Sequence, residues 1–282
     1  MDAARMNEFL LGHEPVIRLS CFLGILILMA LWELLGPRRP LTTSKASRWL
    51  SNLGIVVIDT LAVRLILSTQ AVGMALFAES HGWGLLNNVI LPPWMKIILG
   101  VLGLDLVIYL QHAMFHALPI FWRLNRMHHT DLDFDVTTGV RFHPLEILLS
   151  MGIKIAAVAI LGPSAVAVVL FEVLLNATSM FNHGNVRLPK EIDRVLRFLV
   201  VTPEMHRVHH SVVIKEYNSN FGFNFPWWDR LIGTYTAQPM RGHESMTIGL
   251  NRFRDPKHLT LPWLLIQPFF ESGKYPLDRR ID

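Results

Sequence analysis

From Val16 to Leu35 the chain runs for 20 residues with two charged side chains, Arg18 and Glu33. A run of that length, coiled as a helix, matches the hydrocarbon core of a bilayer. Inside lipid the backbone must satisfy its own polar groups, which leaves helices or closed barrels. A cleaved leader fits less well. The run starts late, exceeds an apolar region of about 7–15 residues, and ends in Gly36-Pro37-Arg38-Arg39 without a small-residue cleavage site. Arg18 and Glu33 sit near its two ends, where long side chains reach the interface.

Further apolar stretches follow. Trp49 to Ala78 reads as a second span and holds Asp59 and Arg64, spaced to find partners on other helices rather than each other. After the Pro92-Pro93 breaker, Trp94 to Leu118 is a third. Leu145 to Phe181 reads as two short helices broken at Gly162-Pro163, a hairpin that dips into or just crosses the membrane. Leu261 to Phe270 is too short to span and suits an interface. The composition agrees: 51% of residues are apolar and 17% charged, against about a quarter charged in soluble domains. The expected fold is therefore all-α, an integral membrane protein of four to five hydrophobic helices with a cytoplasmic helical cap.

The formal charge of +4 does not point to nucleic acid, because the basic residues flank apolar segments as membrane topology and anionic headgroups require. The connection with Arg38, Arg39, Lys45 and Arg48 is expected to be cytoplasmic, whereas the loop from Glu79 to Pro93 has no Lys or Arg. Threading the spans from there puts every histidine cluster on one side. Cys21 is the single cysteine, so no internal disulfide and no cysteine-based metal site can form.

Histidine is the unusual residue, with thirteen in the chain. His112 and His116 lie one helical turn apart, with Asp105 and Tyr109 on the same face. Asn125, His128 and His129 follow at i, i+3 and i+4. His183 stands within Phe181-Asn-His-Gly-Asn185, and His206, His209 and His210 repeat the i, i+3, i+4 pattern. That spacing projects three side chains toward one or two adjacent ions. His13, His81, His243 and His258 are isolated and read as ordinary hydrogen-bonded residues. Eight clustered imidazoles near bilayer depth are costly without a shared partner, which makes a metal centre the better reading. Imidazole suits zinc, copper, iron and nickel. One zinc takes about four ligands, so eight histidines fit two ions. His-Glu-x-x-His, which marks zinc hydrolases, and the Glu-x-x-His pairs of soluble di-iron bundles do not occur.

These spacings resemble the histidine boxes of the fatty acid hydroxylase and sterol desaturase superfamily. The flanking text is similar to its bacterial members: Asp135-Val-Thr-Thr-Gly-Val-Arg-Phe-His143-Pro, Phe181-Asn-His-Gly-Asn185, Asn220-Phe-Gly222 and Trp228-Asp-Arg-Leu-Ile-Gly-Thr-Tyr235. The resemblance runs from about residue 100 to 236. With the apolar runs, it divides the chain into N-terminal transmembrane helices over 1–93, a catalytic domain over 94–240 and an interfacial tail over 241–282, the two ends adding nothing diagnostic. It further implies two iron ions held by His112, His116, His128, His129, His183, His206, His209 and His210, with dioxygen as co-substrate. The reaction would be hydroxylation or desaturation of a C–H bond in a sterol-like, fatty acyl, ether or carotenoid lipid, in a bacterial inner membrane.

The chain departs from the family at Asn125, where the second box begins with histidine. Asparagine there could hold a water ligand, leave a position for dioxygen, or mark a weakened site. Asn125, His143, Asp105 and Asp229 are candidates for water-mediated or supporting roles. Asp131, Asp135 and Glu204 join Asp105 and Asp229 as carboxylates able to receive an imidazole N–H. Trp227 and Trp228 read as interfacial anchors or substrate contacts. No nucleotide fingerprint or haem-attachment motif occurs, so electrons would come from an external reductase with ferredoxin or cytochrome, received on a face with Arg187, Lys190, Arg194 and Arg197. The alternatives are a catalytically impaired or non-enzymatic membrane metal-binding protein, or a metal transporter.

Overall fold

The computed structural model describes residues 3–67 and 69–270. It is helical throughout, with no strand among the described residues beyond two isolated bridges. The long elements are α1 (Ala3–Gly12), α2 (Glu14–Leu35), α3 (Lys45–Ile66), α4 (Ala71–Ser80), α5 (Pro93–Ala117), α6 (Pro119–His129), α7 (Pro144–Leu161) and α8 (Ala165–Asn182). Two shorter helices, α9 (Lys190–Leu196) and α10 (Pro203–His209), follow, with short turns beyond them. Proline sets many of the starts. Pro15, Pro93, Pro119, Pro144 and Pro203 each stand in a first turn, where the missing N–H costs nothing. The hairpin break falls at the expected residues. Gly162 closes α7 in the left-handed conformation (φ 63°), and Ser164 caps α8 by accepting from Ala167 N.

Five segments are long and apolar enough to cross a membrane: Glu14–Leu35, Lys45–Ser80, Pro93–Ala117, Pro144–Leu161 and Ala165–Asn182. The second is two helices rather than one, because the path opens between Ile66 and Ala71. Their outer faces stay apolar, as on α2, where Leu19, Leu23, Ile27, Leu31 and Leu34 are exposed. Such a surface requires lipid rather than water around it. Inward, α2 and α5 pack on α8, and α3 and α4 pack on α7.

The segments share one end. α2 finishes there, α3 starts there, α5 runs into α6, α7 starts there and α8 ends there. Glu33 accepts from the backbone N–H of Val136 (2.7 Å) and Asn185 (2.9 Å). Arg48 grips Asp131 through Nε and Nη2 (2.7 and 2.8 Å) and Asp135 through Nη1 (2.6 Å), all buried. Asp133 receives the N–H and hydroxyl groups of Thr42 and Thr43. Arg38 reaches Glu204 (2.7 Å), which Arg207 also contacts (3.1 Å). Residues 119–143 and 183–250 are thereby fastened onto this end as a cap.

Several charges do not behave as the sequence suggested. Arg18 pairs with Glu14 (2.7 Å) and Glu172 (2.9 Å). Glu33 is buried in the backbone bonds just described. Asp59 and Arg64 form no ion pair among the described residues; Asp59 is buried and Arg64 exposed. Arg197 is buried too, held by Asp193 and Tyr235, which leaves Arg187, Lys190 and Arg194 as the exposed basic residues of that face. The Leu261–Ile266 turn packs on α3 with Leu264 fully buried. Of the tail expected over 241–282, residues 271–282 lie outside the described residues.

Candidate metal centre

The eight clustered histidines converge under the cap, all buried. His112 and His116 project from the last two turns of α5, and His128 and His129 end α6. His183 follows the last residue of α8, while His206, His209 and His210 come from α10 and its C-cap. They divide into two groups of four: His112, His116, His129 and His209, and His128, His183, His206 and His210. Within each, one nitrogen per ring lies within 4.8 Å of the others. The groups adjoin, since the His129 and His210 rings stack at 4.7 Å and those of His206 and His209 at 5.0 Å.

Backbone carbonyls aim the rings. Nδ1 of His112 donates to Phe221 O (2.8 Å), His209 to Ser219 O (2.7 Å), His183 to Ser179 O (2.8 Å) and His128 to Arg141 O (3.1 Å). A carbonyl only accepts, so each of these Nδ1 atoms carries the hydrogen and each neutral Nε2 is a bare lone pair. Yet Nε2 of His112 faces Nε2 of His209 at 3.2 Å, and that of His128 faces His183 at 3.2 Å. Two opposed lone pairs repel unless a cation lies between them. Nitrogens bound to one ion at about 2.0–2.1 Å lie roughly 3–4 Å apart, which is the spacing found here. The donor set therefore fits two metal ions.

The rings are held in the form that binds metal. Burial first, and then neighbouring imidazoles, push His128, His129, His206, His209 and His210 well below the ordinary histidine value. Burial takes His183 down to about 3. A neutral imidazole is the ligating species.

The carboxylates named from the sequence do not receive these N–H groups; two of them, Asp229 and Asp131, brace segments whose carbonyls do. Asp229 accepts from Phe221 N (2.8 Å), Gly222 N (2.9 Å) and Thr234 Oγ1 (2.7 Å), fixing the loop whose Phe221 carbonyl holds His112. Asp131 pairs with Arg48 and lies 3.7 Å from Arg141, whose carbonyl holds His128. Asp105 accepts from Trp228 Nε1 (2.7 Å), and Trp227 donates to Phe198 O, so both indoles are structural ties. His143 stands outside both groups: Nδ1 caps α7 by accepting from Leu145 N, and Nε2 donates to Leu265 O. Asn125 is not among the eight, and its Nδ2 donates to Glu146 Oε1 (2.7 Å). Glu146 is the residue that sequence reasoning missed, hidden in an apolar helix with no recognisable motif around it.

A cavity of about 870 Å³ runs between α2, α3, α5, α7 and α8 and reaches His112 and Asn125. Phe115, Val140, Phe142, Ile147, Met151 and Phe223 supply much of its apolar lining.

Residues 97–234 match the family described as fatty acid hydroxylase. The chain is 27% identical over 183 residues to the ornithine lipid hydroxylase OlsE of Rhizobium tropici, covering 65% of this chain and 53% of that protein. It is 26% identical over 171 residues to alkylglycerol monooxygenase of Homo sapiens, covering 57% and 36%. Very-long-chain aldehyde decarbonylase GL1-8 of Oryza sativa subsp. japonica is 26% identical over 180 residues, covering 61% and 66%. The chain thus spans about half of the first relative and about a third of the second. No solved structure matches. All eight histidines of the two groups lie within residues 97–234, the region that matches the fatty acid hydroxylase family model.

Proposed function

We propose that this protein is a membrane oxidoreductase that uses two histidine-bound iron ions and dioxygen to hydroxylate or desaturate a C–H bond of a lipid. The observation that carries the reading is the pair of adjoining four-imidazole groups with opposed bare nitrogens, one of which reaches a largely apolar cavity inside a membrane bundle through His112. Relatives named for hydroxylation of ornithine lipid and oxygenation of alkylglycerol support the lipid part. The eight histidines of the two groups would hold the metals, which supply the reduction of dioxygen and the oxidising power for C–H cleavage.

The chain's own residues do the rest. Phe221, Ser219, Ser179 and Arg141 carbonyls fix ring orientation, so little reorganisation is needed when the ligands engage. The apolar cavity wall holds a lipid chain and keeps bulk water from the imidazoles. Two electrons per turnover come from a separate reductase with ferredoxin or cytochrome, docking on exposed Arg187, Lys190 and Arg194. The working division is residues 1–93 as membrane anchor, 94–240 as catalytic domain and 241–282 as tail, in a bacterial inner membrane with the cap cytoplasmic. A transporter would place its site near the bilayer midplane, whereas both groups lie where the helices meet the cap.

Elemental analysis with Mössbauer spectroscopy of the detergent-purified chain, expressed with iron available, tests this. About two irons per chain with coupled ferric signals is expected from eight ligands in two sets. Absence of bound iron after reconstitution would overturn it.

A further inference from the structure

We propose that the cavity receives the protonated amino group of an amine-bearing lipid, with Asp59 and Glu146 as its counter-charges. The inference rests on the lipid-oxidoreductase reading and names the substrate class for the same site.

The cavity is not apolar throughout. Seven of its lining residues are charged, on α2, α3, α7 and α8, and four of them neutralise one another. Lys154 pairs with Glu172 (2.7 Å), and Arg18 pairs with Glu14 and Glu172. Arg64 is exposed and pairs with neither remaining acid. Among the described residues Asp59 and Glu146 have no basic partner, although they are only 8% and 4% exposed. One oxygen of each, Asp59 Oδ1 and Glu146 Oε2, is buried with no hydrogen bond.

Two amides on the same wall repeat the pattern. Gln111 Nε2 donates to Ser150 and Asn125 Nδ2 donates to Glu146, so both amide nitrogens are spent on the protein. Gln111 Oε1 and Asn125 Oδ1 remain buried and unpaired. The cavity therefore presents four unsatisfied acceptors and two unpaired carboxyls. Native interiors rarely leave such groups alone, because each lost hydrogen bond is costly. The complementary ligand is a cation rich in donors. An ammonium brings three N–H groups and no acceptor. A hydrocarbon chain would leave all four oxygens unpaired, and an ionised carboxylate or phosphate would bring further acceptors and no N–H to them. Asn125 lies one turn before His128, and His112 lines the same cavity, so the amine site and one of the imidazole groups share that cavity.

The test uses the full chain in phosphatidylcholine nanodiscs and equilibrium binding of radiolabelled hexadecylamine, hexadecanol and hexadecanoic acid, with protein-free discs subtracted. The wild type should bind the amine at least about tenfold more tightly than the alcohol, and Asp59→Asn or Glu146→Gln should each remove about tenfold of amine affinity while leaving the alcohol unchanged. Asp59→Glu and Glu146→Asp keep the charge and should keep the preference, which separates recognition from misfolding. Equal binding of amine and alcohol by the wild type, or a preference that survives Asp59→Asn/Glu146→Gln together, would overturn the inference. Iron content and iron-dependent lipid oxidation on the same preparations keep the two readings apart. Iron and oxidation without amine preference sinks this inference alone; amine preference without iron supports it and sinks the oxidoreductase reading.

Discussion

Replacing Arg48 by Met should show how strongly the cap is bolted to the membrane bundle. The guanidinium is 1% exposed and makes three bonds of 2.6–2.8 Å to Asp131 and Asp135, themselves 0% and 1% exposed. Methionine fills similar space but leaves two buried carboxylates without their main partner. Burial alone would raise the Asp131 carboxyl, yet Arg48 and Arg141 outweigh it and bring it from 3.8 down to about 2. A depression of that size corresponds to about 2–3 kcal/mol at neutral pH, and the stranded Asp135 adds to it. Arg141 stays 3.7 Å from Asp131 and limits the loss. The expected destabilisation is about 3–5 kcal/mol, the usual cost of breaking a buried pair by removing one partner.

For a chain of this size that cost lowers the thermal midpoint by about 6–15 °C, read by unfolding of the detergent-solubilised protein. The pH dependence has a definite sign. A depressed carboxyl contributes stability that is full above its unfolded value and is lost as pH falls through the folded one. The wild-type advantage should therefore be complete at neutral pH. It should shrink in acid as the pH falls below the ordinary carboxyl value and then through the depressed value of Asp131, toward pH 2. A midpoint shift below about 2 °C, the size expected of a solvated surface pair, would refute the argument that this network is buried and desolvated.

Other consequences follow from the two-group geometry. His209→Ala removes a ligand of one group and His128→Ala a ligand of the other; each should lower metal content and abolish turnover without affecting membrane insertion, and normal turnover by either variant would sink the ligand assignment. Gly139→Ala places a Cβ 2.5 Å from Ser179 O and 3.2 Å from His183 Nδ1. It should dislodge His183 and cost about 1–3 kcal/mol, seen as metal lost from one group, and full occupancy would show that the carbonyl does not set that ring. Asp229→Asn keeps the volume but turns an amide N–H toward the Phe221 or Gly222 N–H. About 1–3 kcal/mol of stability should go, with weaker metal retention than wild type on dialysis against a chelator; unchanged retention would disconnect this loop from His112.

The spans, the Gly162 break and the eight histidines were legible because each rests on local rules: length, turn chemistry and helical spacing. The partition of the histidines was not. His128 and His129 are neighbours in sequence yet serve different groups, as do His209 and His210, whereas His206 and His210 serve the same one. Adjacent helical residues diverge by about 100°, while residues four apart share a face, so one short helix feeds both groups. Which group each ring joins depends on where α5 and α8 deliver His112, His116 and His183, and that is tertiary information. The basic connection after α2 does more than its charge indicates. Arg38 and Arg48 satisfy a charge-based topology rule, but their side chains are spent on Glu204, Asp131 and Asp135, so the same residues both mark the loop and lock the cap.

Asn125 gains its meaning from this arrangement. Read in sequence, it is a gap in a ligand pattern and a reason to suspect a weakened centre. In the fold, both groups of four close without it, and its amide binds Glu146 at the wall of the cavity. A histidine at 125 would offer one ring nitrogen toward Glu146, and its acceptor character would depend on the tautomer. Asparagine separates the two roles on one planar group, with Nδ2 engaged by the carboxylate and Oδ1 left as an acceptor. The departure therefore falls on the cavity wall, beside the His116 imidazole but outside either group of four. It should alter which lipid is accepted before it alters whether metal is held.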